Sequence, residues 1–229
     1  MIRVVVSGSR GKMGRVIIEG LRTAADIAVV GEAERGDDLG AVIGKSQADV
    51  VVDFTEPAAA RKNTLAILEA GAAPVVGTTG FTEEDYALVG ERCRQLRRGA
   101  VIAPNFAIGA VLMMRAAAEV APFMPDVEII ELHHPAKLDK PSGTALMTAT
   151  RIREALGESS RGAVPIHSVR LPGLVAHQEI IFGAAGQRLT LRHDVHDRTC
   201  FVPGVLLAVR RVLELDRLVV GLDELLVAR

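Results

Sequence analysis

The chain has no tryptophan, one tyrosine and six phenylalanines among its 229 residues. That leaves few aromatic faces for stacking bases or for a belt at a membrane interface. Two cysteines, Cys93 and Cys200, cannot build a disulfide framework and suit a reducing compartment. Neither lies in a motif, so both read as structural. Charge of one sign is also missing: the formal net charge is −1, with acids and bases interspersed. No basic footprint therefore argues for nucleic acid. The arginine-rich stretches at 92–98 and 210–211 read as solvated helix faces. No uninterrupted apolar run reaches the roughly 18 residues needed to span a bilayer. Met1 leads into the apolar run 2–6 without a charged-then-apolar leader, so a cytoplasmic location is expected.

What is present is enough for a proper core. Hydrophobic residues make up 49% of the chain, and 22 glycines with 10 prolines exclude a fibrous or disordered polymer. The length allows one large domain or two modest ones. Short runs rich in Val and Ile at 2–6, 27–30, 50–53, 74–76 and 100–103 read as strands. Helix-length stretches such as 11–23, 57–70 and 83–98 separate most of them, an alternation that predicts βαβ units and a parallel sheet. Pro57 suits a first helical turn, with Thr55 expected as its cap.

The rhythm changes after Asn105. A helix at 108–120 leads to a strand at 127–134 and a helix near 144–156. Three strand-like runs follow, at about 166–171, 175–182 and 188–195, with no long helix among them. In the last, Leu189, Leu191 and His193 alternate with Arg188, Thr190 and Arg192, a half-solvated antiparallel pattern. The stretch Gly183-Ala184-Ala185-Gly186 predicts a hairpin. An apolar helix at 201–215 and a segment at 218–226 close the chain.

Two stretches carry chemistry. The first follows the opening strand: Ser7-Gly8-Ser9-Arg10-Gly11-Lys12-Met13-Gly14, then a helix. Glycines there permit a tight turn, and helix-start N–H groups attract pyrophosphate. The spacing is Gly-x-x-Gly-x-x-Gly, with Arg10 where the usual dinucleotide fingerprint has its second glycine. Acidic Glu32 and Glu34 stand about 20 residues beyond the turn, as that fingerprint requires. Glu34 could accept from an adenosine ribose, favouring NADH. Arg35, with Arg10 and Lys12, could instead meet a 2′-phosphate, favouring NADPH. Two further loops, Gly77-Thr78-Thr79-Gly80 and Ala103-Pro104-Asn105-Phe106, fall at the carboxyl ends of expected strands, where open α/β sheets collect ligands.

The second stretch runs from Glu131 to Ala145. His133 and His134, neighbours on a strand, point to opposite faces and need not share a role. Lys137 and Asp139 follow, then Ser142-Gly143-Thr144 opens a helix, whose amides and hydroxyls suit a carboxylate while also serving as a cap. No flanking Cys, Glu-x-x-His or second acidic pair completes a metal set, so no metal is expected. A nucleotide turn with a proton-handling, anion-binding segment points to a reductase acting on a small acid. Another Rossmann oxidoreductase, such as a homoserine or semialdehyde dehydrogenase, would share the first hundred residues but lack the His-His-x-x-Lys run. A nucleotide-sensing regulator would bind NAD(P)H without oxidising it.

The residues from Gly8 to Gly14, Asp53-Phe54-Thr55, Gly77 to Phe81, Ala103 to Phe106 and Glu131 to Ala145 together resemble the 4-hydroxy-tetrahydrodipicolinate (dihydrodipicolinate) reductases. The resemblance continues through Val175 to Glu179 and Arg198 to Gly204; Lys140 departs from it, standing where the family usually has alanine. It implies an α/β protein with a Rossmann-type parallel-sheet nucleotide domain, residues 1–106 completed by 201–229. It implies a smaller mixed α+β domain, 107–200, for substrate binding and oligomerisation, and a homotetramer. The implied reaction is reduction of a cyclic imine dicarboxylate by NADH, NADPH or both. His133 is then the proton donor or acceptor and Lys137 a proton donor. His134 with Ser142, Gly143 and Thr144 binds substrate carboxylate. Gly8, Ser9, Arg10, Gly11, Lys12, Met13, Glu34, Arg35, Gly77, Thr78, Thr79, Ala103, Pro104, Asn105 and Phe106 hold the cofactor.

Overall fold

The computed structural model describes residues 1–157 and 162–226. Residues 227–229, at the end of the expected C-terminal segment, lie outside that range. The chain divides into two compact units, Met1–Ile108 with Arg198–Arg229, and Gly109–Asp197.

The first unit alternates strand and helix: β1 (Ile2–Ser7), α1 (Lys12–Arg22), β2 (Ile27–Ala33), α2 (Leu39–Ser46), β3 (Val50–Asp53), α3 (Pro57–Glu69), β4 (Ala73–Val76), α4 (Glu83–Leu96) and β5 (Ala100–Ile102). The second unit holds α5 (Ile108–Val120), β6 (Asp126–His133), α6 (Gly143–Leu156), β7 (Ile166–Arg170), β8 (Ala176–Ala184) and β9 (Gln187–Val195). The chain then returns to the first unit with α7 (Val202–Val212) and β10 (Leu218–Val220).

In the first unit all strands are parallel, in the order β10-β5-β4-β3-β1-β2. Parallel sheets are covered on both faces, which explains why β3 and β4 are buried along their whole length. Helix α1 packs Gly14, Ile17, Ile18 and Leu21 inward. Helix α4 opens with a capping box in which Thr82 accepts from Asp85 N and Asp85 accepts from Thr82 N. Thr55, expected to cap α3, does not: the cap position is Glu56, with no side-chain bond. The Thr55 hydroxyl turns back to donate to Asp53 at 2.6 Å. A fully buried carboxylate needs donors more than α3, opened by Pro57, needs a cap.

The sheet of the second unit runs β7-β6-β8-β9, with β6 parallel to β7 and antiparallel to β8. Val127, Ile129, Ile180 and Phe182 bury one face against Met113 and Ala117 of α5 and Ile152 and Leu156 of α6. Ala184 pairs with Gln187, so Ala185 and Gly186 form the hairpin turn, with Gly186 at φ +75°.

Candidate active site

In the first unit the expected cofactor residues gather at the carboxyl edge of the parallel sheet. Leaving β1, Gly8 takes φ +77°, and its N–H donates to Ala33 O at 2.9 Å. A Cβ on Gly8 would stand 2.6 Å from Phe54 O; one on Gly14 would stand 2.1 Å from Gly8 O. Bare backbone is thus required where α1 begins. Gly11 caps α1 without any side-chain bond, and a helix start of this kind attracts anions. Glu34, just past β2, accepts from Ser9 Oγ at 2.7 Å and Arg10 N at 2.5 Å. The Ser9 hydroxyl, then the Arg10 amide, hold its carboxyl below the usual range. Glu34 therefore braces the turn. Arg35 lies 3.5 Å from Glu56 and is largely exposed.

A cavity of about 700 Å³ opens here, lined by Gly8, Gly11, Glu34, Arg35, Thr55 and Lys62 among others. Glycine backbone, a helix start and an acidic residue after the second strand fit a dinucleotide. Gly77 follows β4; a Cβ there would strike the Phe54 ring at 2.1 Å. Thr78 is buried, its hydroxyl 3.4 Å from Asp53 Oδ1. Asn105 Oδ1 accepts from Ala107 N at 2.8 Å, and Phe106 packs 5.8 Å from Phe54, ring centre to ring centre. Cys93 is buried, and burial pushes its thiol up to about 11, which makes it inert.

In the second unit His133 ends β6 and His134 lies beyond it, exposed. The alternation of β6 puts Val127, Ile129, Glu131 and His133 on one face. Glu131 is fully buried and bonds His133 Nδ1 through Oε2. Burial pushes the His133 imidazole below its ordinary range; the charges of Lys137 and Arg170 add to this, and Glu131 opposes it. The Lys137 ammonium sits 2.8 Å from Asp139. Ser142 caps α6 by accepting from Ala145 N at 3.2 Å and is itself buried. Gly143 is exposed, and nothing lies within 4 Å of where its Cβ would stand. The fourteen-residue helix thus begins at a solvent-exposed glycine, and a helix start attracts anions.

Sequence reasoning singled out His133, Lys137 and the α6 start but assigned nothing to Glu131 and overlooked Arg170. Arg170 binds the Glu131 carboxylate with both ends of its fork, at 2.8 and 2.7 Å. The signal for Glu131 was available: it is the carboxylate in the inward-facing series of an apolar strand. Such a group needs a partner.

The N- and C-terminal family models of dihydrodipicolinate reductase match residues 2–106 and 109–226. A 4-hydroxy-tetrahydrodipicolinate reductase from Coxiella burnetii (strain RSA 493 / Nine Mile phase I) is 49% identical over 238 residues, covering 98% of this chain and 99% of the relative. One from Synechocystis sp. (strain ATCC 27184 / PCC 6803 / Kazusa) is 41% identical over 270 residues, covering 99% and 98%. Among solved structures, the dipicolinate-bound dihydrodipicolinate reductase from Paenisporosarcina sp. TG-14 superposes with a TM-score of 0.89 at 39% identity, covering 99% of this chain and 100% of that one. The fold is shared more widely, with GenD2 from gentamicin A biosynthesis in complex with NAD, at TM-score 0.68 and 13% identity over 93% of this chain and 86% of that one. One family accounts for both halves of the sequence: the chain belongs to the dihydrodipicolinate reductases.

Proposed function

We propose that the chain reduces 4-hydroxy-tetrahydrodipicolinate, by way of dihydrodipicolinate, to tetrahydrodipicolinate with NADH or NADPH, a step toward diaminopimelate and lysine. The observation that carries this reading is the run that leaves β6. An imidazole held at one nitrogen by a buried carboxylate is followed by an ammonium and an open helix start. These are the groups a dianionic acid needs for binding and protonation.

The coenzyme would be held by Gly8, Ser9, Arg10, Gly11, Lys12 and Met13, by Glu34 and Arg35, and by the loops from Gly77 to Thr79 and Ala103 to Phe106. Bound there, it supplies a hydride. In the second unit, the amides of Gly143 and Thr144 take one substrate carboxylate, with the buried Ser142 fixing the helix start. His134 adds a hydrogen-bond donor for the same dianion. One proton joins the hydride to complete the reduction; Lys137 donates it and His133 Nε2 relays it. Glu34 and Arg35 side by side support use of both coenzymes. We further propose that the enzyme works in the cytoplasm as a homotetramer. The sheet face carrying Ile130, Leu132 and Ile181, opposite the helix-covered one, supports burial against another copy.

A coupled assay with dihydrodipicolinate synthase tests the reaction. NAD(P)H absorbance at 340 nm should fall only when the synthase and its substrates are present, and a flat trace with both NADH and NADPH would sink the proposal.

Proton linkage offers a check independent of turnover. Burial holds the His133 imidazole below its ordinary value in the free protein, which favours its neutral form. Two substrate carboxylates favour its charged form and raise that value. Binding should therefore take up protons near pH 7, fading well above pH 8 and again below the free value. Calorimetry of dipicolinate binding to the coenzyme-loaded protein, in buffers of different ionisation heat, should show an uptake approaching one proton. His133→Gln should remove it; buffer-independent heats with the native chain would contradict the idea.

A further inference from the structure

We propose that Arg170 is a positioning residue: through Glu131 it sets the tautomer of His133, and through two loop carbonyls it holds the segment that carries Lys137. This rests on the reading that His133 transfers a proton.

The argument begins with register. β6 and β7 are parallel, and His133 and Arg170 are direct partners at their ends. Residues far apart in sequence are thereby brought side by side, with Glu131 two positions back on the inward face. Glu131 is fully buried and Arg170 is 7% exposed, so neither charge can rely on water. Arg170 Nη1 donates to Oε2 at 2.8 Å and Nη2 to Oε1 at 2.7 Å. Burial pushes the Glu131 carboxyl up. Hydrogen bonds from Arg170, Ser168 and His133 outweigh it and leave the group below the usual carboxylate range. An ionised carboxylate only accepts, so the His133 Nδ1 bonded to it must carry a hydrogen. Nε2 is left as the nitrogen that gains and loses a proton. The groups facing His133 are then Glu131 on its own strand, Arg170 on β7 and Lys137 with Asp139 on the following loop.

The rest of the guanidinium is also committed. Nη1 reaches Val169 O at 2.8 Å, Nη2 reaches Asp139 O at 2.7 Å, and Nε reaches Lys137 O at 3.3 Å. With the two bonds to Glu131, these match the five N–H donors of the side chain. None remains for substrate, so Arg170 acts through other groups. A lysine, with three donors and no planar fork, cannot make the same set.

The test uses the full chain with ¹⁵N-labelled histidine, His133 being assigned by loss of its signals in His133→Gln. Above pH 8, neutral His133 in the native protein should be protonated at Nδ1. In Arg170→Gln the proton should shift toward Nε2, and kcat should fall about 10–100-fold, as for other partners that orient a functional imidazole. Coenzyme Kd should change less than about twofold, a tenfold change being 1.4 kcal/mol. Arg170→Lys should not restore kcat. An Nε2-protonated ring in the native chain would overturn the proposal, as would an unchanged tautomer or unchanged kcat in Arg170→Gln. If Arg170→Gln does not fold, Glu131→Gln/Arg170→Gln buries no charge and should show the same shift; the native tautomer decides in any case. A native chain inactive in the coupled assay would defeat the proposed reaction but leave the tautomer result standing, so the two ideas fail separately.

Discussion

Replacing His133 by glutamine should lower kcat by roughly 10²–10⁴-fold, the range for losing a positioned general acid or base. Glutamine fills similar space and can bond Glu131, so the strand end should keep its shape. What it cannot do is carry a proton on and off within the physiological range. The corresponding barrier is about 2.7–5.4 kcal/mol. Coenzyme affinity should hardly move, because the cavity lined by Gly8, Gly11 and Glu34 belongs entirely to the first unit. Turnover at saturating substrate and a fluorescence titration with NADH measure the two effects separately. Near-normal turnover would remove His133 from the chemistry.

A second large effect is expected far from the imidazole. In Gly14→Ala the new Cβ would lie 2.1 Å from Gly8 O and 2.8 Å from Ser9 Cα and Ser9 O. These are backbone atoms, which cannot swing aside as a flexible side chain would. Alanine gains up to about 1 kcal/mol in helix propensity, but forced overpacking costs about 1–3 kcal/mol. The clash should win because the turn has nowhere to go: Gly8 is itself so close to the neighbouring strand end that a Cβ on it would stand 2.6 Å from Phe54 O. The expected outcome is a lower melting temperature and NADH binding weakened about tenfold or more, 1.4 kcal/mol being one decade. Gly44→Ala is the control. It too lies in a helix, α2, yet nothing stands within 4 Å of its Cβ position. That variant should bind NADH normally, and equal losses in both would mean that the turn is not special.

The parallel sheet is legible in sequence because strands covered on both faces are written as unbroken Val and Ile runs between helical stretches. Helix α2 is not. It has eight residues, two of them glycines at 40 and 44, and buries only Leu39 and Ile43, too little for a periodic signal. Three-residue β10 is equally faint: only its pairing with β5 makes it a strand. In β9 the alternation of Leu189 and Leu191 foretold an inward face, yet Leu189 remains 37% exposed because β9 is the outer strand of its sheet. At the site, His133, Lys137 and the α6 start show in one contiguous stretch. Arg170 does not, because its link to Glu131 spans 39 residues and exists only through strand register. At Glu34, bonds to Ser9 and Arg10 add a bracing task that spacing alone could not reveal.

The parallel sheet takes its outermost strand from the far end of the chain, where Leu218–Val220 joins Ala100–Ile102. During synthesis, β1 through β5 leave the ribosome long before that partner exists, whereas every strand of the second sheet is made in one continuous stretch. The nucleotide-binding sheet can therefore be completed only after the whole histidine-bearing unit has been made.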